Sequence, residues 1–135
     1  MAKPIADTGF IVALLDERDR HHKWASAQAA KFAPPFETCE AVLSEAFHLL
    51  TPWVSGQLLN ALGRGAFRTT FAFEEHQGQV LALMDKYADV PMSFADACLV
   101  RMTEILPDPI VLTADSDFRI YRRHSRQVVP CAMPR

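Results

Sequence analysis

The chain has 135 residues, half of them hydrophobic and 22% charged, with a net charge of −2 at pH 7. That is the length and composition of one ordinary globular domain, with room for a core that needs no disulfide or structural metal. The acidic balance excludes a nucleic-acid binder that works by overall positive charge, so any contact with phosphates has to be local.

In chain order, Ile5-Ala6 begins a short apolar strand that stops at Asp7-Thr8-Gly9. This early acid also interrupts any signal-peptide core, and no run approaches the roughly 18 apolar residues of a membrane span. A cytoplasmic protein without membrane attachment is therefore expected. Phe10 to Leu15 reads as the first turns of a buried helix. Residues 21–32 are helical, with Trp24, Ala25, Ala29 and Phe32 near 3.6-residue spacing, and Pro34-Pro35 stops them. A short strand over 36–39 precedes a strongly apolar helix over 40–50. Pro52 then opens a helix that runs to about Leu62. Phe67 to Phe73 predicts a strand, Glu74 to Tyr87 a helix, and Ser93 to Ile105 another. Ile110 to Thr113 is a buried strand, Ser116 to Arg122 a helical turn, and Gln127 to Cys131 a last strand. Strands alternating with helices imply an α/β domain, a mostly parallel sheet covered on both faces, over residues 1–135 without linkers or repeats. Cys39, Cys98 and Cys131 are widely spaced, lack a C-x-x-C pattern and sit among apolar neighbours, as buried thiols do.

Five acids stand apart from the solvated charges. Asp7 ends the first strand, Asp115 and Asp117 follow the 110–113 strand, Asp96 lies in the first turn of the 93–105 helix, and Glu45 lies in mid-helix. Each Asp has a local explanation as a helix cap or first-turn acid, and Ser93-x-x-Asp96 has the spacing of a capping box. Glu45 has none: Val42, Leu43, Ala46, Phe47, Leu49 and Leu50 surround it, which predicts a buried carboxylate in need of a proton, a partner or a metal. Sites in open α/β sheets lie outside the carboxyl ends of the strands. Asp7 and Asp115 are placed there, and the helices can bring Glu45 and Asp96 to the same rim. Carboxylates without a matching Lys or Arg repel one another. A divalent cation relieves that conflict, and oxygen-only ligands suit Mg²⁺ or Mn²⁺. Arg119, Arg122, Arg123 and Arg126, close behind Asp117, are either a solvated face or a local phosphate-binding patch.

Four segments in order, I-A-D-T-G-F at 5–10, L-S-E-A-F-H-L-L at 43–50, S-F-A-D-A-C-L-V at 93–100 and V-L-T-A-D-S-D-F at 111–118, resemble the motifs of PIN domains. They look most like those of bacterial VapC-type toxins, across essentially the whole chain. The resemblance implies a three-layer fold with a parallel sheet of order 3-2-1-4-5. It also implies an acidic quartet of Asp7, Glu45, Asp96 and Asp115 with Asp117 as a fifth ligand, and supporting hydroxyls from Thr8 and Thr113. The implied activity is Mg²⁺- or Mn²⁺-dependent cleavage of RNA, gripped by the arginines at 119–126. Gly9 departs mildly from the Ser or Ala of many members. The resemblance further implies a cognate antitoxin, and a homodimer is expected. The apolar run Phe47 to Val54, with Trp53, marks a candidate interface. A PIN nuclease of RNA processing, an aspartate-based phosphotransfer domain and a non-catalytic binding module are the alternatives. A receiver-type phosphotransfer domain needs a Lys after a late strand, and 128–131 offers none.

Overall fold

Lys3–Ala6 (β1) is the axis of the sheet in the computed structural model, which describes residues 1–135. Pro4, Ile5 and Ala6 are all buried, as a strand covered on both faces requires. On one side β1 pairs in parallel with Phe36–Glu37 (β2), which in turn pairs with Phe67–Arg68 (β3). On the other side Lys3 to Ala6 lie opposite Pro109 to Leu112 (β4), and β4 carries the outermost strand, Cys131–Ala132. Six helices complete an α/β domain: Thr8–Leu15 (α1), His22–Phe32 (α2), Glu40–Leu49 (α3), Pro52–Gly63 (α4), Phe73–Lys86 (α5) and Phe94–Ile105 (α6).

The outer edge departs from the expected order. One strand over 127–131 is split in two by Pro130, which has no N–H to give to a ladder. Upstream of it, Gln127–Val128 (β6) folds back antiparallel on Arg122–Arg123 (β5) as a separate hairpin. Downstream, Cys131–Ala132 becomes β7 and joins β4, so the sheet runs β3-β2-β1-β4-β7. Pro130 still contributes its carbonyl, which accepts from the Val111 N–H at 2.9 Å. The expected strand over 67–73 shortens to two residues because its only partner, β2, offers two, and Phe73 already opens α5. The expected turn over 116–122 tightens to a 3-10 turn at Ser116–Arg119.

Connections from β1 to β2 and from β2 to β3 step toward one edge, whereas the connection from β3 to β4 returns past β1. Right-handed crossovers therefore put α1–α4 and α5–α6 on opposite faces. The packing matches: α1 rests on α2, α3 and α4, and α5 rests on α6. Under α1 the anchor is Phe10, fully buried, edge-on to Trp24 at 5.9 Å and to Phe36 at 5.4 Å between ring centroids. Phe10→Ala should remove about 3–5 kcal/mol of stability, the usual cost of emptying such a site. Urea unfolding measures it, and a loss under 1 kcal/mol would show that α1 is not held there.

Candidate functional site

Strand pairing continues one residue beyond the ends of β1 and β4. The Asp7 N–H donates to the Leu112 carbonyl at 3.1 Å, and the Thr113 N–H donates to the Ala132 carbonyl at 3.1 Å. These two carboxyl ends are neighbours whose connections leave on opposite faces, which is the switch point where α/β sheets open a crevice.

Asp7 is 7% exposed and caps α1. Its Oδ1 accepts the Thr8 N–H at 2.7 Å, and its Oδ2 accepts the Thr113 hydroxyl at 2.6 Å. The same Thr113 hydroxyl accepts the Asp115 N–H at 2.9 Å, so one side chain ties the end of β1 to the loop after β4. Asp115 is exposed and caps the 3-10 turn, accepting the Asp117 N–H at 2.9 Å. Asp96 is 8% exposed in the first turn of α6, where its N–H donates to the Ser93 hydroxyl at 3.0 Å. Asp7 and Asp115 thus cap their helical turns, and only half of the expected capping box forms, because Ser93 caps α6 while the Asp96 carboxylate takes no part in the cap.

Glu45 corrects an expectation. It is exposed. Helix α3 fully buries only Val42 and Ala46; Leu43 and Phe47 are half-buried and Leu49 faces solvent. The helix is amphipathic instead of apolar all round, and Glu45 lies on its open side. Its membership of the site therefore rests on position: Oε2 accepts the Thr8 hydroxyl at 3.4 Å.

Asp7, Thr8, Glu45, Asp96, Asp115 and Asp117 line a single cleft of about 470 Å³, with Gly9, Leu49, Pro91, Ser93 and Ala114. No Lys, Arg or His lines it. A buried acid elsewhere shows the contrast. Glu37 of β2 accepts from Arg68 Nε and Nη2 at 3.1 and 3.0 Å and from the Thr70 hydroxyl at 2.6 Å, so its charge is paired. A larger groove of about 620 Å³, between the α1–α2 connection and α4, has Asp16 and Glu17 as its only acids, with Arg18 and His22 beside them, and Asp16 is paired with Arg18.

Burial pushes the Asp7 carboxyl up from an ordinary 3.8 to about 7 against the hydrogen bond from Thr113, and the charges of Asp96 and Asp115 raise it further. Asp96 is pushed up to about 6, again chiefly by burial, with Tyr121 opposing the rise and Asp115 and Glu45 adding to it. Asp7 and Asp96 therefore each feel the charge of neighbouring cleft acids. No three of the His, Cys, Asp and Glu side chains converge on one point. An all-oxygen donor set still fits Mg²⁺, which keeps several waters and takes one or two carboxylates directly.

The sequence reading missed Tyr121. Its hydroxyl donates to Asp96 Oδ2 at 2.8 Å from a fully buried position, and burial together with that carboxylate holds the phenol in its protonated form. The arginines divide into two pairs. Arg122 Nη1 donates to the carbonyls of Arg119, Ile120 and Tyr121 at 2.8, 3.3 and 3.0 Å, and Arg123 donates to the Thr103 carbonyl of α6. Arg119 and Arg126 are exposed.

Comparison of the chain with models of known protein families and with curated proteins returns no match.

The raised carboxyls fix the sign of a pH effect. A folded-state pKa above the unfolded value means that protonation favours the fold, so the contribution is complete below about pH 4 and is lost as pH rises through 6 and 7. The metal-free protein should melt several degrees lower at pH 8 than at pH 5, and Asp7→Asn should flatten that slope. Thermal unfolding followed by circular dichroism checks it, and equal slopes in both proteins would remove Asp7 as the cause.

Proposed function

We propose that this protein is a PIN-domain endoribonuclease of the VapC type, which hydrolyses RNA phosphodiester bonds with Mg²⁺ or Mn²⁺. The observation that carries this reading is a cleft at the carboxyl ends of β1 and β4 lined by five carboxylates and no basic side chain. One or two of Asp7, Glu45, Asp96 and Asp115 would bind the cation directly, and the others, with Asp117, would reach it through its waters. A divalent cation bound there neutralises the carboxylates, polarises a phosphate and acidifies a water. The chain's own residues do the rest. Thr113 fixes Asp7, and Thr8 holds Glu45 toward the cleft. Arg119 and Arg126 grip flanking phosphates, while Arg122 and Arg123 brace the backbone that presents them. Single-stranded or looped RNA is the substrate class, because its backbone can be presented to a shallow cleft.

We favour the toxin of a toxin–antitoxin pair over a processing nuclease because the apolar rim is uncovered. Leu49, which lines the cleft, is 63% exposed, and Trp53 at the start of α4, which lines the separate groove of about 620 Å³, is 79% exposed. A cognate antitoxin is the partner that this rim suits, and a second copy of the chain is the rival occupant. Co-purification with the product of a neighbouring small gene separates a toxin from a processing enzyme.

With Mn²⁺, Asp7→Asn and Asp96→Asn should each reduce cleavage of a single-stranded RNA by at least about 100-fold while the circular dichroism spectrum is kept. EDTA should abolish cleavage by the wild type. Undiminished cleavage in EDTA would sink the metal mechanism. Replacing Arg119 and Arg126 with Ala should flatten the salt dependence of RNA binding by roughly 0.7 in log–log slope per lost contact. An unchanged slope returns both to the solvated surface.

A further inference from the structure

Tyr121 does not line the cleft, and nothing in its sequence context marks it as part of a site. It is completely buried, and a buried phenol needs a hydrogen-bond partner. Its partner is Asp96, 25 residues away in sequence. The ring is held from both sides: Tyr87 and Phe118 pack edge-on against it, each 5.2 Å away between centroids. Backbone contacts close the frame. The Tyr121 N–H donates to the Asp117 carbonyl at 3.2 Å, and the Arg122 N–H donates to the Tyr87 hydroxyl at 2.9 Å. Beyond it the hairpin is pinned to the far end of α6, where Arg123 donates to the Thr103 carbonyl and the His124 N–H donates to Glu104 Oε2 at 2.7 Å. The phenol and the helix carrying Asp96 are thus fastened together at both ends, and the hydroxyl cannot leave the carboxylate by a simple side-chain turn.

We propose that Tyr121 is the positioning residue for Asp96: its hydroxyl occupies Oδ2 and leaves Oδ1 as the oxygen presented to a divalent cation in the cleft. The inference rests on the metal-dependent reading given above. Asp7 is likewise held by a hydroxyl, since Thr113 donates to its Oδ2, while its Oδ1 accepts the Thr8 N–H. A hydroxyl donor to each of the two deeply buried acids would fix the orientation in which its carboxylate meets such a cation. Groups that orient a ligand from behind typically contribute 10–100-fold to metal affinity.

Tyr121→Phe keeps the ring and removes only the hydroxyl. Titration of the metal-free protein with Mn²⁺ by calorimetry should show affinity falling by about 10–100-fold relative to wild type. Without metal, the carboxyl carbon resonance of Asp96 should move in the variant by clearly more than that of Asp7, which feels Asp96 only through its charge. A general loosening of the fold moves both alike. An unmoved Asp96 resonance, equal movements at Asp7 and Asp96, or unchanged Mn²⁺ affinity overturns the assignment of Tyr121. A variant that does not fold makes the hydroxyl a structural group and overturns it as well. Failure of the wild type to bind Mn²⁺ at all overturns the metal reading itself, which is a separate outcome from a wild type that binds and a variant that binds equally well.

Discussion

Two carboxyl groups, Asp7 and Asp96, are almost wholly removed from water, within electrostatic reach of each other, and without a cation. Most sequences avoid this, because an unpaired buried charge costs several kcal/mol. Here the surroundings manage the cost without cancelling it. Thr113 and the Thr8 N–H lower the pKa of Asp7, and the side chains of Tyr121 and Ser93 lower that of Asp96, yet burial and mutual repulsion keep the carboxyls well above their ordinary range. The pairing of β1 with β4, the start of α6 and the hairpin behind it all serve to hold this unfavourable arrangement in place.

That tension separates the cleft from the rest of the molecule. Glu37, equally buried, has an arginine and a threonine of its own, so its charge is closed off inside the sheet. The cleft acids are left open on one side, and what they lack is positive charge. Acids left without a basic partner at a strand-end crevice concentrate an electrostatic cost where a ligand would relieve it.

The strand ends and caps were legible because their signals are local. D-T-G after an apolar dipeptide and T-A-D-S-D after an apolar tetrapeptide each mark a carboxyl end, and Ser93 announces the start of α6. Glu45 was found by a faulty argument. Hydrophobic content made α3 look buried all round, whereas only one narrow stripe of it faces the core, and the residue reaches the cleft from the exposed side. Tyr121 was invisible because its partner is distant in sequence and its neighbours are Arg119, Ile120, Arg122 and Arg123, which read as a surface run. The one available signal was the three-residue spacing of Phe118 and Tyr121, two aromatics that a tight turn buries on one side. The β5–β6 hairpin was hidden for a related reason. Its turn puts His124 and Ser125 at φ of 49° and 70°, where Gly or Asn would ordinarily announce it. Contacts made by arginine side chains with backbone carbonyls leave no pattern in sequence at all, so Arg122 and Arg123 could not be told from Arg119 and Arg126.

The hydrogen bond between Thr113 and Asp7 joins residues 106 positions apart. A chain leaving the ribosome shows Asp7 to solvent long before its counterpart has been made, and during that interval the acid is an ordinary surface carboxylate at the start of a helix. The crevice comes into being only when β4 inserts beside β1, after most of the polypeptide already exists. A nascent or truncated chain that lacks β4 therefore has no cleft, whatever else of the fold it has formed.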